Sequence, residues 1–124
     1  MSDWNPTELA RIGDATELRI ASTRADGTLR PWVTIWHGVV DGVLYVRSAH
    51  GPENGWYRRA RAAGTGRVAA GGVEQDVTFT PADAAVRAAL DAALHAKYDR
   101  FGPAYVGAIT GDDVLETTLR VDPR

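Results

Sequence analysis

Three dipeptides limit what this chain can fold into: Asp26-Gly27, Asp41-Gly42 and Gly71-Gly72. Each tolerates the positive φ angles of a tight hairpin turn. Each also stands between segments that read as strands. Residues 17–23 alternate, with Leu18, Ile20 and Ser22 on one face and Arg19, Ala21 and Thr23 on the other. Residues 31–40 are rich in β-branched and aromatic side chains and lead through Asp41-Gly42 into residues 43–48. Residues 67–70 and 73–80 flank Gly71-Gly72, with Val73, Gln75, Val77 and Phe79 on one mostly apolar face. Turns this short join antiparallel neighbours, because parallel strands need long crossovers.

Helices fill the intervals. Asn5 caps a short helix with Pro6 in its first turn, Leu9 and Ile12 face the core, and Gly13 is the expected end. Residues 54–63 form a second helix, capped by Asn54 and ended by Gly64-Thr65-Gly66. Thr80-Pro81 is the expected start of the longest helix, whose stripe is Val86, Leu90, Leu94, Tyr98 and Phe101. Residues 104–109 fit no single element. Residues 115–121 alternate and read as a last strand. Meandering strands with few helices predict an α+β fold, a small antiparallel barrel in one domain spanning 1–124.

Composition excludes several classes. Without cysteine there are no disulfides, thiolate metal sites or cysteine nucleophiles, and a reducing cytoplasm is the expected setting. A net charge of -2 gives no electrostatic reason for nucleic acid or an anionic membrane. No apolar run reaches membrane-span length, and M-S-D-W-N-P-T-E lacks the basic and apolar regions of a signal peptide. No histidine or carboxylate spacing indicates a metal, and no G-x-S-x-G elbow indicates a serine hydrolase.

Residues 44–61, L-Y-V-R-S-A-H-G-P-E-N-G-W-Y-R-R-A-R, carry the densest chemistry. A strand ends in Arg47 and Ser48, a glycine-rich loop follows, and a helix then presents Trp56, Tyr57, Arg58, Arg59 and Arg61. Guanidinium groups, a hydroxyl and helix N–H groups together suit a phosphate. On the helix Arg58 and Arg61 are neighbours, and Arg59 points elsewhere. The competing reading is a solvated helix face paired with Glu53 or Asp76. Trp32 and Trp36 share a strand face by parity and can stack on a flat heterocycle, or pack in the core or an interface. His37, His50, Tyr98 and Tyr105 are the candidate proton-transfer groups. His50 stands beside the loop.

Four segments carry a resemblance: R-A-D-G-T-L-R-P-W-V-T-I-W, L-Y-V-R-S, G-W-Y-R-R-A-R-A and G-R-V-A-A-G-G-V-E-Q-D-V. The chain resembles the flavin-binding split-barrel superfamily, the pyridoxamine-phosphate-oxidase-like proteins and in particular their deazaflavin-dependent nitroreductase branch. With E-L-A-R-I near the start and T-T-L-R-V-D-P-R at the end, it is still more similar to an uncharacterised bacterial family of this length within that superfamily. The resemblance implies a six-stranded split barrel, a homodimer, and FMN or a deazaflavin as cofactor. It implies Arg30, Arg47, Ser48, Trp56 and Arg59 around the phosphate, with Trp32 and Trp36 lining the ring or substrate. The chain departs from the pattern at its first hairpin, R-A-D-G-T where the branch has G-R-K-S-G, and at the helix, where Arg58, Arg59 and Ala60 replace an Asn-Leu motif.

Two functions are therefore expected. One is a flavin- or deazaflavin-dependent oxidoreductase acting on a small organic molecule. The other is a cofactor-free barrel that binds a small molecule or catalyses a non-redox step such as a cyclisation or isomerisation.

Overall fold

The computed structural model describes residues 3–48, 53–110 and 117–124, with the side chains of 103–105 and 108 outside that description. Helix α1 (Pro6–Asp14) precedes β1 (Leu18–Ser22), β2 (Val33–Ile35), β3 (His37–Val40) and β4 (Val43–Arg47). Helix α2 (Gly55–Ala63) leads to β5 (Thr65–Ala70) and β6 (Val73–Pro81). Helices α3 (Arg87–Tyr98) and α4 (Pro103–Thr110) come before β7 (Thr118–Pro123).

All seven strands belong to one antiparallel sheet, in the order β2-β1-β5-β6-β7-β4-β3. The two ends of that order, β2 and β3, are separated in the chain by Trp36 alone. The sheet must therefore roll until its edges meet, and the result is a nearly closed barrel. The expected single strand at 31–40 breaks at Trp36 because it changes partner there. Ile35 pairs with Leu18 of β1, and His37 pairs with Val46 of β4. Seven strands replace the expected six for this reason; β2 and β3 counted as one bent strand restore six.

The hairpins form where the dipeptides predict. Asp41 and Gly42 have φ of 50° and 77°, and Gly71 and Gly72 have 58° and 82°. Two successive positive φ values match the right-handed twist of the flanking strands.

One apolar cluster fills the barrel and is covered by α1 and α2. It includes Leu9, Ile12, Leu18, Val68, Phe79 and Val121. The Trp4 indole is fixed over it by an Nε1–H bond to Val121 O at 2.9 Å. A second cluster lies under α3 and α4, with Tyr45, Leu90, Leu94, Tyr98, Val106 and Ile109.

Several boundaries differ from expectation; β5, for one, begins at Thr65, two residues before the expected start. Gly13 lies inside α1, against Val39, and Ala15 caps the helix. Thr80 and Pro81 end β6, paired with Arg120 and Leu119. The turn that opens α3 is capped by Asp83, whose carboxylate accepts from Ala85 N at 2.9 Å. Proline is tolerated at a strand terminus, so Pro81 suits both roles. The unassigned stretch 104–109 is helical, within α4. The last strand starts at Thr118; residues 115 and 116 lie outside the described residues. Of the α3 stripe, Leu90, Leu94 and Tyr98 are buried, while Phe101 is 39% exposed.

Candidate functional site: an arginine-lined groove

Residues 44–61 divide into an inner and an outer half. Arg47, the last residue of β4, lies on the strand face covered by α3 and α4 and is 3% exposed. Its Nε donates to Thr118 Oγ1 at 2.8 Å, and Nη1 pairs with the Asp91 carboxylate and donates to Ile109 O. Nη2 reaches Arg87 O at 3.4 Å. One guanidinium thus ties β4 and β7 to α3 and α4. Ser48 is fully buried, its N–H donating to Thr117 Oγ1 at 3.2 Å. The resemblance places Arg47 and Ser48 at a phosphate; in the structure neither lines the groove that Arg24, Arg30, Arg58 and Arg59 form.

The outer half forms a groove of about 760 Å³ between the β1–β2 connection and α2, with Arg24, Arg30, Arg58 and Arg59 in its walls. Among the described residues, no acidic residue lines it. The connection is shaped by Asp26, whose carboxylate accepts from Thr28 N at 2.9 Å and from Thr28 Oγ1 at 2.6 Å. Those bonds hold the Asp26 carboxyl below its ordinary pKa. Arg24 is braced by donating to Leu29 O at 3.0 Å. Arg30 stands on the opposite arm of the hairpin, its N–H bonded to Ser22 O.

Across the groove, α2 contributes its first turns. A Cβ at Gly55 would lie 2.7 Å from Arg59 Nη1, so glycine leaves the space that the guanidinium occupies. The helix has no acidic residue in its first turn, so its N-terminal partial charge reinforces the arginines. Among the described residues Arg30, Arg58 and Arg59 make no ion pair. The expected partner Asp76 is bound instead by Arg67 Nε at 2.7 Å. Arg61 leaves the group by donating to Tyr57 Oη. The helix neighbours facing the groove are therefore Arg58 and Arg59, where the spacing argument paired Arg58 with Arg61.

Of the expected binding residues, Arg30, Trp56 and Arg59 come together: a crevice between Ser22, Pro31, Val33 and Trp56 shares both arginines with the groove. Trp56 is buried beneath them and meets Tyr57 edge-on. Trp32 is 38% exposed, with Arg19 5.4 Å over its ring. Trp36 instead stacks on Tyr98 at 4.0 Å, beyond the strand break. Arg24 is the groove residue that the sequence reading missed. The available signal was the hairpin, which brings Arg24 and Arg30 to one end of the sheet.

His37 and Tyr98 form a separate buried knot. His37 Nε2 lies 2.5 Å from Ile12 O, and a carbonyl only accepts, so Nε2 carries the proton. Burial and the nearby Lys97 hold the imidazole pKa down to about 4. Tyr98 Oη donates to Thr16 O at 2.7 Å and accepts from His37 N, and burial pushes its pKa up to about 12. His50 lies outside the described residues, as does the side chain of Tyr105.

A family model described as an uncharacterized protein conserved in bacteria (DUF2255) matches residues 8–121. The chain belongs to the DUF2255 family. No curated protein matches it. This DUF2255 chain is similar in structure to a protein described as a domain-swapped dimer, with TM-score 0.62, 16% identity, and 94% and 92% of the two chains covered. An F420 reductase aligns with TM-score 0.57 at 18% identity over 93% and 91%. A FAD-binding protein from Mesorhizobium loti aligns with TM-score 0.57 at 17% identity over 98% and 89%. At such identities the likeness is one of fold. Among the described residues no helix is long and apolar enough to cross a membrane.

Proposed function

We propose that this protein is a split-barrel oxidoreductase that holds a phosphate-bearing flavin-type cofactor, FMN or a deazaflavin, and acts on a small organic molecule. The observation that carries this reading is the groove itself: among the described residues it has four guanidiniums, no carboxylate in the wall, and no ion pair to any of the four. Guanidinium groups recognise phosphate through paired N–H donors, and the α2 N-terminus adds positive potential. The donor set fits a phosphate, and the fold is shared with an F420 reductase and a FAD-binding protein.

In this reading Arg30 and Arg59 hold the phosphate between hairpin and helix, with Arg24 and Arg58 adding charge on either side. Ser22 and Trp56 close the crevice beneath. The cofactor, when bound, supplies hydride transfer, and the protein supplies binding and orientation. Two copies of the chain pair, as in the domain-swapped dimer of the same fold.

A cofactor-free function rests on one observation, that among the described residues no aromatic residue lines the groove to stack on a flavin ring. The groove then holds a small anionic substrate for a non-redox step. Titration with FMN and with a deazaflavin, followed by tryptophan fluorescence, separates the two. Saturable binding of either supports the cofactor reading; binding of neither removes it.

A further inference from the structure

A second groove, of about 700 Å³, shares no residue with the arginine groove. It lies between α1, β3 and α3, with Trp4, Leu9, Val39 and Ala93 in its walls. Its lining is apolar apart from two charged side chains, Asp14 and Lys97. Of the chain's 14 lysine and arginine residues, Lys97 alone is lysine. A guanidinium never releases its proton in a protein, whereas an amine can do so and become a nucleophile.

The surroundings of Lys97 favour that neutral form. Its Nζ donates to His37 O at 3.2 Å and lies 3.2 Å from His37 Nε2 and 5.0 Å from the centre of the Tyr98 ring. The titratable groups facing it are Asp14 from α1, His37 from β3 and Tyr98 from its own helix. Desolvation outweighs the attraction of Asp14 and brings the Lys97 pKa down to about 8.

We propose that this groove is a small-molecule site in which Lys97 condenses with the carbonyl of an apolar aldehyde to form an imine. The Nζ lone pair adds to the carbonyl carbon, one N–H proton passes to the oxygen to give the carbinolamine, and its hydroxyl leaves as water with the second N–H proton as the C=N bond forms. No electrons are gained or lost. The walls of Leu9, Val39 and Ala93 take the carbon chain. Gly38 belongs to the same wall, and its missing side chain gives room to Leu90 and Leu94 of α3.

The test uses the full chain with hexanal and cyanoborohydride, which reduces the imine to a stable amine, and locates the adduct by peptide mass spectrometry. Glycolaldehyde serves as the polar comparison. At pH 8 about half of Lys97 is neutral against well under 1% of an ordinary lysine, so modification of Lys97 by hexanal should be about a hundredfold faster than that of free Nα-acetyl-lysine. Excess hexanol, which has the same chain and no carbonyl, slows it toward the free rate. Glycolaldehyde gains only what the lowered pKa gives, so the ratio of hexanal to glycolaldehyde reaction is higher at Lys97 than on free lysine. Ala93→Trp fills the groove and removes the advantage; if that variant fails to fold, hexanol competition in the natural chain still decides. Modification of Lys97 no faster than free lysine, or indifferent to hexanol, overturns the proposal. FMN binding is unaffected by hexanol, so the two sites are tested separately.

Discussion

Arg47 and Arg59 come from one stretch of sequence and end in opposite settings. Arg47 is enclosed by acceptors from α3, α4 and β7; Arg59 lies over the first turn of α2 at the groove. The two make different predictions. Asp91→Ala leaves a buried guanidinium without its carboxylate. Because Asp91 is itself 31% exposed, the cost falls below that of a fully buried pair, at about 2–4 kcal/mol. Urea unfolding checks this, with an unchanged midpoint as the contrary result. Arg59→Ala leaves stability nearly unaltered and weakens binding of a phosphate-bearing ligand by about ten- to a hundredfold, the value of a charge-assisted hydrogen bond. His37 adds a pH dependence. Its native pKa of about 4 lies below the ordinary 6.5, so the unfolded chain binds the proton first as pH falls. The stability given by the neutral imidazole is complete above pH 6.5. It is lost between about 6.5 and 4, by up to about 3 kcal/mol. Unfolding midpoints across that range should fall, and should fall less in a His37→Gln variant. A flat profile in the natural chain would contradict the account.

The elements show where close approach matters. A Cβ at Gly66 on β5 would lie 2.1 Å from Ala21 O on β1 and 2.8 Å from the Phe79 ring. Gly66→Ala must push two paired strands apart and costs more than about 2 kcal/mol. Gly72→Ala meets no atom within 4 Å and bears only the strain of φ at 82°, about 1 kcal/mol. Thermal melts of the two variants should rank in that order. The hairpins around Asp41-Gly42 and Gly71-Gly72 were legible in the sequence because turn geometry is local. The break at Trp36 was not, since it depends on which strands lie beside β2 and β3. The start of α3 was misplaced because Thr80-Pro81 satisfies local rules for a helix start, while the ladder to β7 keeps it extended. The same limit applies at the site. Arg30 was named through the resemblance and Trp56 and Arg59 already through residues 44–61, whereas the burial of Arg47 under α3 and α4 needed Asp91, forty-four residues further on.

At the scale of the whole molecule, a rolled sheet brings its two edges together at Trp36 and brings the β1–β2 hairpin against α2. That hairpin and helix are far apart in sequence, and only barrel closure makes one groove of them. Net charge is -2, yet the groove concentrates positive charge, so a phosphate-bearing ligand should bind it in a salt-dependent way. The proposed function requires this groove to recognise the phosphate of a flavin-type cofactor. Equilibrium dialysis with FMN and with riboflavin, which lacks the phosphate, isolates that interaction. The account predicts that the natural chain binds FMN at least about tenfold more tightly than riboflavin, and that Arg30→Ala/Arg59→Ala abolishes the difference. Equal affinities in the natural chain, or a preference that survives in the double variant, would contradict it.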